Sequence, residues 1–271
     1  MTKPVDAFIK LSAPETREFW RIPILQEDEH LLALDKPGGL LTSPDHHEPG
    51  LPNLMTLLHR DIARGASWAR GRRLTYLANT HRPDFETSGV LLLARDKPTL
   101  VALAGQFDTR NPAITHVALV QGAPAENAFE IEARLSPHPT QAGLVRVDTR
   151  PGKKARTLFE VSERFSRYAL LKCQPLSGRT HQVRAHLRHA GFPVVGDRLY
   201  GGAPLLLSRL KSGYRLKPGR EERPLIDRAA LHAEQLTVTH PVSGANVTIS
   251  APWPKDLTVA IKYLRRYAAG A

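Results

Sequence analysis

Several features of exported, membrane and disulfide-bonded proteins are missing from this sequence. Cys173 is its only cysteine, which excludes an internal disulfide framework and suits a reducing compartment. We expect it to be a small buried hydrophobe. Residues 1–20 hold no apolar signal-peptide core, and no uninterrupted apolar run is long enough to span a bilayer. We therefore predict a cytoplasmic protein that does not associate with membranes.

Acidic residues are scarce relative to basic ones. The chain of 271 residues has 26 Asp and Glu against 38 Lys and Arg, a formal charge of +12 and a pI near 10.1. Such an excess favours a polyanionic partner and carries no information about the fold. With 41% hydrophobic residues, the chain can bury one substantial core, in one domain or in two closely joined lobes.

Residues 77–96, LANTHRPDFETSGVLLLARD, combine a reactive type of side chain with a rigid support. Asp84 lies two residues after Arg82 on a turn-like segment, and the apolar run at residues 90–94 predicts a buried strand. Such a strand can hold a carboxylate of the adjoining loop in a fixed position. An aspartate near an arginine in a turn is also a common cap or surface ion pair, so this stretch alone leaves both interpretations open.

Hydrophobic periodicity predicts an α+β fold with a largely antiparallel sheet flanked by helices. Helical spacing is found at residues 54–62, 98–107 and 257–264. Strand patterns are found at residues 29–35, 90–94, 116–122, 129–135, 157–163, 168–174, 234–240 and 247–252, the last two joined as a hairpin. Residues 1–26 show no sustained period and are interpreted as a lead-in segment before one domain at residues 27–271.

Residues 176–202, LSGRTHQVRAHLRHAGFPVVGDRLYGG, predict a short helix with arginines beside an apolar face. Val183 and Leu187 mark the apolar face, and Arg184 and Arg188 lie on the next one. A phosphate backbone or a buried carboxylate would each suit these guanidinium groups, and a helix that shows arginine to water is the alternative. The spacing is not that of an HExxH zinc motif, so we expect no metal at the three histidines of this stretch, His181, His186 and His189.

These stretches together resemble the signatures of the RluA-type pseudouridine synthases. HRPDFETSGVLLLARD is similar to a family segment in which His-Arg-Leu-Asp precedes a Thr-Ser-Gly turn and an apolar strand. Residues 176–202 are similar to the second long signature almost position for position. LDKPGGLLTSP resembles the family's N-terminal Lys-Pro block, and RAALHAEQLTVTHPVSGANVTISAPWP resembles its C-terminal block. The four blocks stand in the family's order, which is far more specific than any one of them.

The resemblance implies a pseudouridine synthase fold and an enzyme that isomerises uridines in tRNA or ribosomal RNA without metal or organic cofactor. Asp84 corresponds to the catalytic aspartate, which acts either as nucleophile at C1′ of the ribose or as base at C2′. Arg184 corresponds to the arginine expected to pair with it, and Arg82 to the arginine expected to open the RNA. RNA is the expected partner, and a monomer is the expected state. Further residues assigned to RNA or substrate binding are His81, Thr87, Arg179 and Arg188.

Three positions depart from the family pattern. Pro83 stands where members usually have leucine, and Ile114 where a lysine is common. His116 stands where a tyrosine is usual, thought to stack on uracil and assist proton transfer. Histidine can do both, so we include His116 among the catalytic residues, with an ordinary strand histidine as the alternative. The alternative function is a catalytically silent RNA-binding descendant; a glycosidase using Asp84 and Glu86 is disfavoured.

Many family members carry a ribosomal-protein-like RNA-binding domain before the catalytic one. The expectation here is that the catalytic domain makes the RNA contacts itself. Residues 208–228 form a candidate basic loop for this purpose, although a solvated surface loop fits equally well. Its cations are Arg209, Lys211, Arg215, Lys217, Arg220 and Arg223. A second candidate patch consists of Lys153, Lys154 and Arg156.

Overall fold

The structure is a computed structural model and describes residues 7–46, 48–109, 112–216 and 219–269. The chain divides into two compact units, Met1–Ile114 with Ala233–Ala251 and Thr115–His232 with Pro252–Ala271. In chain order the helices and strands are β1 (Phe8–Ala13), β2 (Glu18–Glu27), β3 (Leu31–Lys36), α1 (Leu54–Ala63), α2 (Ser67–Gly71), β4 (Ala78–Asn79), β5 (Ser88–Ala94), α3 (Lys97–Asp108), β6 (Ala113–Gln121), β7 (Ala128–Pro137), β8 (Val145–Asp148), β9 (Lys153–Phe165), β10 (Tyr168–Pro175), α4 (Gln182–His189), α5 (Leu207–Leu210), β11 (Leu231–Thr239), β12 (Asn246–Ser250) and α6 (Lys255–Tyr267). A 3₁₀ turn lies at Arg198–Tyr200.

In the first unit, strands β1, β2, β3, β5 and β11 lie side by side, with β4 paired to β5 and β12 to β11. The pairings along β1, β2, β3 and β5, and that of β11 with β12, are antiparallel. Helix α1 packs on these strands through Leu54 and Leu58, both fully buried. It begins where the side chain of Asn53 accepts a hydrogen bond from the Thr56 N–H at 2.9 Å.

Strand β5 is buried along its whole length, as its sequence SGVLLLA predicts. Gly89, its second residue, has a φ of +108°, and a Cβ there would lie 2.2 Å from the carbonyl oxygen of Ala233. Only glycine fits such a close approach of two backbones. The turn before β5 and the start of that strand are therefore tied to the adjacent strand β11.

In the second unit the strand order is β6, β10, β9, β7 and β8, and each neighbouring pair is antiparallel. Helix α6 contributes Leu257, Ala260, Ile261 and Leu264 to the core that also contains the apolar residues of β6 and β10. Cys173 is buried in the same core, and burial raises the pKa of its thiol. The interpretation of this cysteine as a buried hydrophobe is therefore confirmed.

The predicted α+β class with a largely antiparallel sheet is confirmed. The helices predicted at residues 54–62, 98–107 and 257–264 are α1, α3 and α6, and the short helix of residues 176–202 is α4. The predicted C-terminal hairpin is formed by β11 and β12. Within the described ranges, no helix is both long and apolar enough to cross a bilayer.

The N-terminal segment contains regular structure that the sequence analysis missed. The described part of residues 1–26 contains β1 and most of β2, which pair from Phe8 with Pro23 to Ala13 with Glu18. Ile9, Leu11 and Ala13 alternate with exposed residues and are buried. This short alternation was the available signal. Treating residues 1–26 as separate from one domain at residues 27–271 stays a prediction.

Candidate active site

The residues predicted for the active site are divided between the two units. Those of the first unit are His81, Arg82, Asp84 and Thr87. Those of the second unit are His116, Arg179, Arg184 and Arg188.

The loop that carries Asp84 is held by its own carbonyl groups. The Pro83 carbonyl accepts a hydrogen bond from Oγ1 of Thr42 at 3.1 Å. The Asp84 carbonyl accepts one from the Thr87 N–H, also at 3.1 Å, which closes a turn directly before β5. The half-buried Asp84 side chain therefore stands on a backbone that is anchored at two consecutive residues.

The carbonyl of Phe85, the next residue, is anchored by two donors. It accepts hydrogen bonds from the Gly39 N–H at 2.9 Å and from Nζ of Lys36 at 3.3 Å. Lys36 is fully buried, and its Nζ also donates to the carbonyls of Leu40 at 2.8 Å and Pro37 at 3.0 Å. A buried ammonium group is tolerated only when its donors are satisfied. The Lys-Pro block of the sequence thus fixes the loop of Asp84 from within the first unit.

Three other predicted residues of this unit differ in their surroundings. Nε2 of His81 accepts a hydrogen bond from the Leu92 N–H at 3.0 Å, and its ring stacks on Phe107 at a centroid distance of 5.3 Å. Thr87 is only 2% exposed. Arg82 is exposed, and its guanidinium has no hydrogen-bond or ion-pair partner among the residues that the structure describes. Contact with RNA stays a prediction for all three, and the exposure favours Arg82.

Helix α4 of the second unit carries a buried ion pair. Nε of Arg184 donates to Oδ2 of Asp197 at 2.6 Å, and Nη2 donates to Oδ1 at 2.8 Å. The two side chains are 3% and 0% exposed. The sequence left two partners open for the arginines of this helix, a phosphate or a buried carboxylate. Arg184 has a buried carboxylate as a partner. The bond to Asp197 is side-on and bidentate, a geometry that sets the plane of the guanidinium.

Tyr200 extends this contact into a network. Its ring lies under the Arg184 guanidinium at 4.9 Å, and its N–H donates to Oδ1 of Asp197 at 3.2 Å. Its hydroxyl accepts from the Val145 N–H and is hydrogen-bonded to Nδ1 of His181, both at 3.1 Å. His181 has a φ of 53°, a left-handed conformation that non-glycine residues hold only when their surroundings impose it. The segment that leads into α4 is therefore fixed around Arg184.

A second buried chain of hydrogen bonds lies under α4. Nε2 of Gln182 donates to Oγ1 of Thr157 at 2.9 Å, and this hydroxyl is hydrogen-bonded to Nδ1 of His186 at 2.9 Å. Burial lowers the pKa of His186 to about 4, with a smaller contribution from the nearby His189, so its ring is neutral at pH 7. In the described part of the chain, no three potential metal ligands come together.

The remaining predicted residues of the second unit are more exposed. Arg188 is exposed and donates from Nη1 to the Tyr200 carbonyl at 2.7 Å. Arg179 is also exposed, and its Nε lies 3.4 Å from the Lys154 carbonyl. His116 is a half-buried residue of β6, opposite Cys173 on β10. Its catalytic role stays a prediction. Of the candidate basic loop at residues 208–228, Lys217 lies outside the described residues.

Sequence reasoning missed the residues that support the predicted ones. Lys36 and Asp197 both stood in quoted signature blocks, yet no role was assigned to them. A lysine at the end of the apolar strand LLALDK and an aspartate between Gly196 and a tyrosine were the available signals. Neither signal identifies the partners in the folded chain, which are the acceptors for Lys36 and the donors for Asp197.

Comparison with known proteins shows which family this chain belongs to. The family described as RNA pseudouridylate synthase matches residues 30–189. Ribosomal large subunit pseudouridine synthase D of Xylella fastidiosa is 36% identical over 256 residues, which cover 92% of this chain and 71% of that protein. The dual-specificity RNA pseudouridine synthase RluA of Escherichia coli is 32% identical over 237 residues, which cover 87% of this chain and 94% of that protein.

Solved structures agree on the fold. The human RNA pseudouridylate synthase domain containing 4 matches with a TM-score of 0.66 at 23% identity, covering 89% of this chain and 92% of that one. The fold and the matched signatures define an RNA-modifying isomerase. The chain belongs to the RluA-type family of RNA pseudouridine synthases, whose members convert uridine to pseudouridine.

Proposed function

We propose that Asp84 is the catalytic carboxylate of this synthase and that its targets are uridines in tRNA, in ribosomal RNA or in both. The observation that carries the proposal is the anchored backbone around Asp84. The carbonyls of Pro83, Asp84 and Phe85 each accept a hydrogen bond within the first unit. A carboxylate on such a loop needs little reorganisation before it reacts, which is how enzymes lower the barrier of a chemical step.

The reaction is an isomerisation in which the glycosidic bond moves. The bond from C1′ of the ribose to N1 of uracil breaks, and a bond from C1′ to C5 forms. C5 loses its hydrogen, and N1 gains one. Asp84 acts either by attacking C1′ or by removing a proton from C2′, and both routes require that the uridine leave the base stack. Extrusion costs about a few kcal/mol, and attraction between the RNA and the +12 charge of the chain offsets part of it.

Exposed cations support RNA as the polymer that is bound. Arg82 lies two residues from Asp84, is exposed and has no ion-pair partner among the described residues. A guanidinium in this situation is available for a phosphate or for the face of a base. Arg179 and Arg188 on the second unit are also exposed. We assign these three arginines to RNA binding, with Arg184 and His116 as the further catalytic candidates.

The two relatives suggest which RNAs to test. One is named for the large ribosomal subunit, and the other is named a dual-specificity RNA enzyme. We therefore propose to test transcripts of both tRNA and ribosomal RNA as substrates.

We also propose that the enzyme is cytoplasmic and monomeric. Sedimentation of the purified protein measures its oligomeric state.

The test of Asp84 uses RNA that carries tritium at C5 of uracil. Pseudouridine formation releases this tritium to water, because C5 becomes the glycosidic carbon. We expect wild type to release it, Asp84→Asn to release none, and both to bind RNA with similar affinity. Glu86→Gln is the matched control, since it neutralises a half-buried carboxylate two residues away, and it should retain activity.

Two other results have defined meanings. Equal tritium release from wild type and Asp84→Asn would exclude Asp84 as the catalytic residue. RNA binding without release from any tRNA or ribosomal RNA would favour the catalytically silent descendant suggested by Pro83 and His116. In that case His116→Tyr tests whether the aromatic hydroxyl usual in the family restores the reaction.

A further inference from the structure

The C-terminal end of α6 forms a basic and aromatic surface that the proposed reaction does not use. Tyr263 and Tyr267 stack with their rings nearly parallel, at a centroid distance of 6.0 Å and an interplanar angle of 12°. Two cations lie over the Tyr267 ring: Cζ of Arg266 at 5.3 Å and Nζ of Lys211 at 6.0 Å. Aromatic rings flanked by cations are typical of sites that bind single-stranded nucleic acid.

The same end of α6 is tied to the turn between β9 and β10. The Ser166 N–H donates to the Ala268 carbonyl at 2.9 Å, and the Gly122 N–H donates to the Arg167 carbonyl at 2.8 Å. A cavity of about 730 Å³ lies here. Its lining includes Arg167, Arg209 and Tyr267, and none of the described residues that line it carries a carboxylate. Cations and aromatic rings from three parts of the second unit therefore converge on one surface.

Three cations of this surface, Arg167, Lys211 and Arg266, form no ion pair within the described part of the chain. Arg209, by contrast, lies close enough to Glu222 to lower the pKa of that carboxyl. Another cavity of the second unit, with a volume of about 1070 Å³, differs in this respect. Its lining contains Arg198 paired with Asp227 at 2.8 Å, together with two glutamates, Glu221 and Glu222. Charge complementarity with a polyanion thus favours the surface on α6.

We propose that Arg167, Lys211, Tyr263, Arg266 and Tyr267 form an accessory site that binds a single-stranded segment of RNA flanking the target uridine. On binding, Lys211 and Arg266 move from the Tyr267 ring to phosphates, and an unpaired base takes their place on the ring. The proposal rests on the proposed function only in taking the enzyme's RNA substrate as the ligand. Such a site would add affinity and register without any contact to the reacting uridine.

The first experiment measures binding of an oligoadenylate of about twelve nucleotides, a length within the range that such sites cover. This probe has no uridine, so its binding is independent of catalysis. Lys211→Gln with Arg266→Gln should weaken binding about tenfold at moderate salt and lower the slope of log affinity against log salt by about 1.4, or about 0.7 for each phosphate contact. Tyr267→Ala should weaken binding about tenfold, and Tyr267→Phe should not, because phenylalanine keeps the stacking face.

The matched control is Arg198→Gln with Arg265→Gln. It removes the same number of positive charges from the same unit, and Arg265 neighbours Arg266 on α6. Both of its arginines are paired with carboxylates, Arg265 with Glu163 and Arg198 with Asp227. The control should bind oligoadenylate like wild type.

The second experiment repeats the tritium-release assay on a full-length RNA and on a stem-loop trimmed of flanking single strands. The Lys211 and Arg266 double variant should raise KM on the full-length RNA, leave kcat unchanged, and behave like wild type on the trimmed one. Equal losses in the double variant and its control would overturn the proposal, as would wild-type binding by Tyr267→Ala. Displacement of oligoadenylate by polyglutamate as readily as by RNA would also overturn it, since that shows a site for acidic protein. Absence of tritium release from every RNA would count against the proposed function alone, because the oligoadenylate results stand without it.

Discussion

Replacing Asp197 by asparagine tests how strongly the fold depends on the buried ion pair of α4. The substitution keeps the shape of the side chain and removes its charge. Arg184 is 3% exposed and donates to both carboxylate oxygens, so its buried guanidinium would lose the charge that it faces in this bidentate pair. Breaking a buried pair from one side costs about 3–5 kcal/mol. The free energy of unfolding of an ordinary domain is about 5–15 kcal/mol. The expected loss is therefore large, but the variant should still fold unless the wild type lies at the lower end of this range.

Asp227→Asn is the matched control, because it makes the same chemical change in a pair of similar length. Nη2 of Arg198 lies 2.8 Å from Oδ1 of Asp227, but these side chains are 80% and 68% exposed. An exposed pair contributes about 0–1 kcal/mol, so this variant should unfold close to wild type. Urea unfolding followed by circular dichroism gives both free energies, provided that the slopes with urea agree. Equal losses in the two variants would refute the argument that burial makes the Arg184 pair important.

Three further predictions concern other buried contacts. Gly89→Ala should destabilise by several kcal/mol in thermal unfolding, since its methyl group would lie 2.2 Å from the Ala233 oxygen, whereas Gly143→Ala, with a φ of +75° and open space, should lose only about 1–2 kcal/mol. Because the pKa of His186 falls to about 4 in the folded state, the unfolded state binds more protons between that pH and about 6.5. Its contribution to stability, roughly 2–3 kcal/mol, should be complete above pH 6.5 and be lost as the pH falls towards 4; a His186→Gln variant with the same pH dependence of urea unfolding would contradict this. Lys36→Met should lower the free energy of unfolding by about 2–4 kcal/mol, because three carbonyls lose this donor. It should also lower the rate of tritium release. Unchanged release from a destabilised variant would show that Lys36 supports the fold and not the loop of Asp84.

The parts of the fold that could be predicted are those in which one element carries its own pattern. The four apolar residues of α6 keep helical spacing, and all four are buried. The alternation of apolar and charged residues in β7 also predicted its strand, because one face of that strand is exposed to solvent. Strands β1 and β2 were missed because their alternation is short and mixed with charged residues.

The candidate site could be predicted only in part, because its support comes from residues distant in sequence. The Thr-Ser-Gly turn and the buried strand after Asp84 are local features. The donors that hold its loop come from Thr42, Gly39 and Lys36, which precede their acceptors by 41 to 49 residues. A lysine that is exposed in most proteins gives no sign in the sequence that three carbonyls will surround it. The same holds for Asp197, whose partner Arg184 is separated from it by a helix end and a turn.

The arrangement of the Asp84 loop also bears on Pro83, where the chain departs from the leucine usual in the family signature. A proline removes a backbone N–H and restricts φ, which would damage a loop held by its amide hydrogens. The hydrogen bonds that anchor residues 83, 84 and 85 are accepted by their carbonyls, and a proline retains its carbonyl. That carbonyl is the group that accepts from Thr42. The substitution therefore leaves the anchoring of Asp84 intact, and reduced freedom of the unfolded chain favours the folded loop. On these grounds Pro83 is weak evidence for a silent descendant, and His116 is the main departure that favours one.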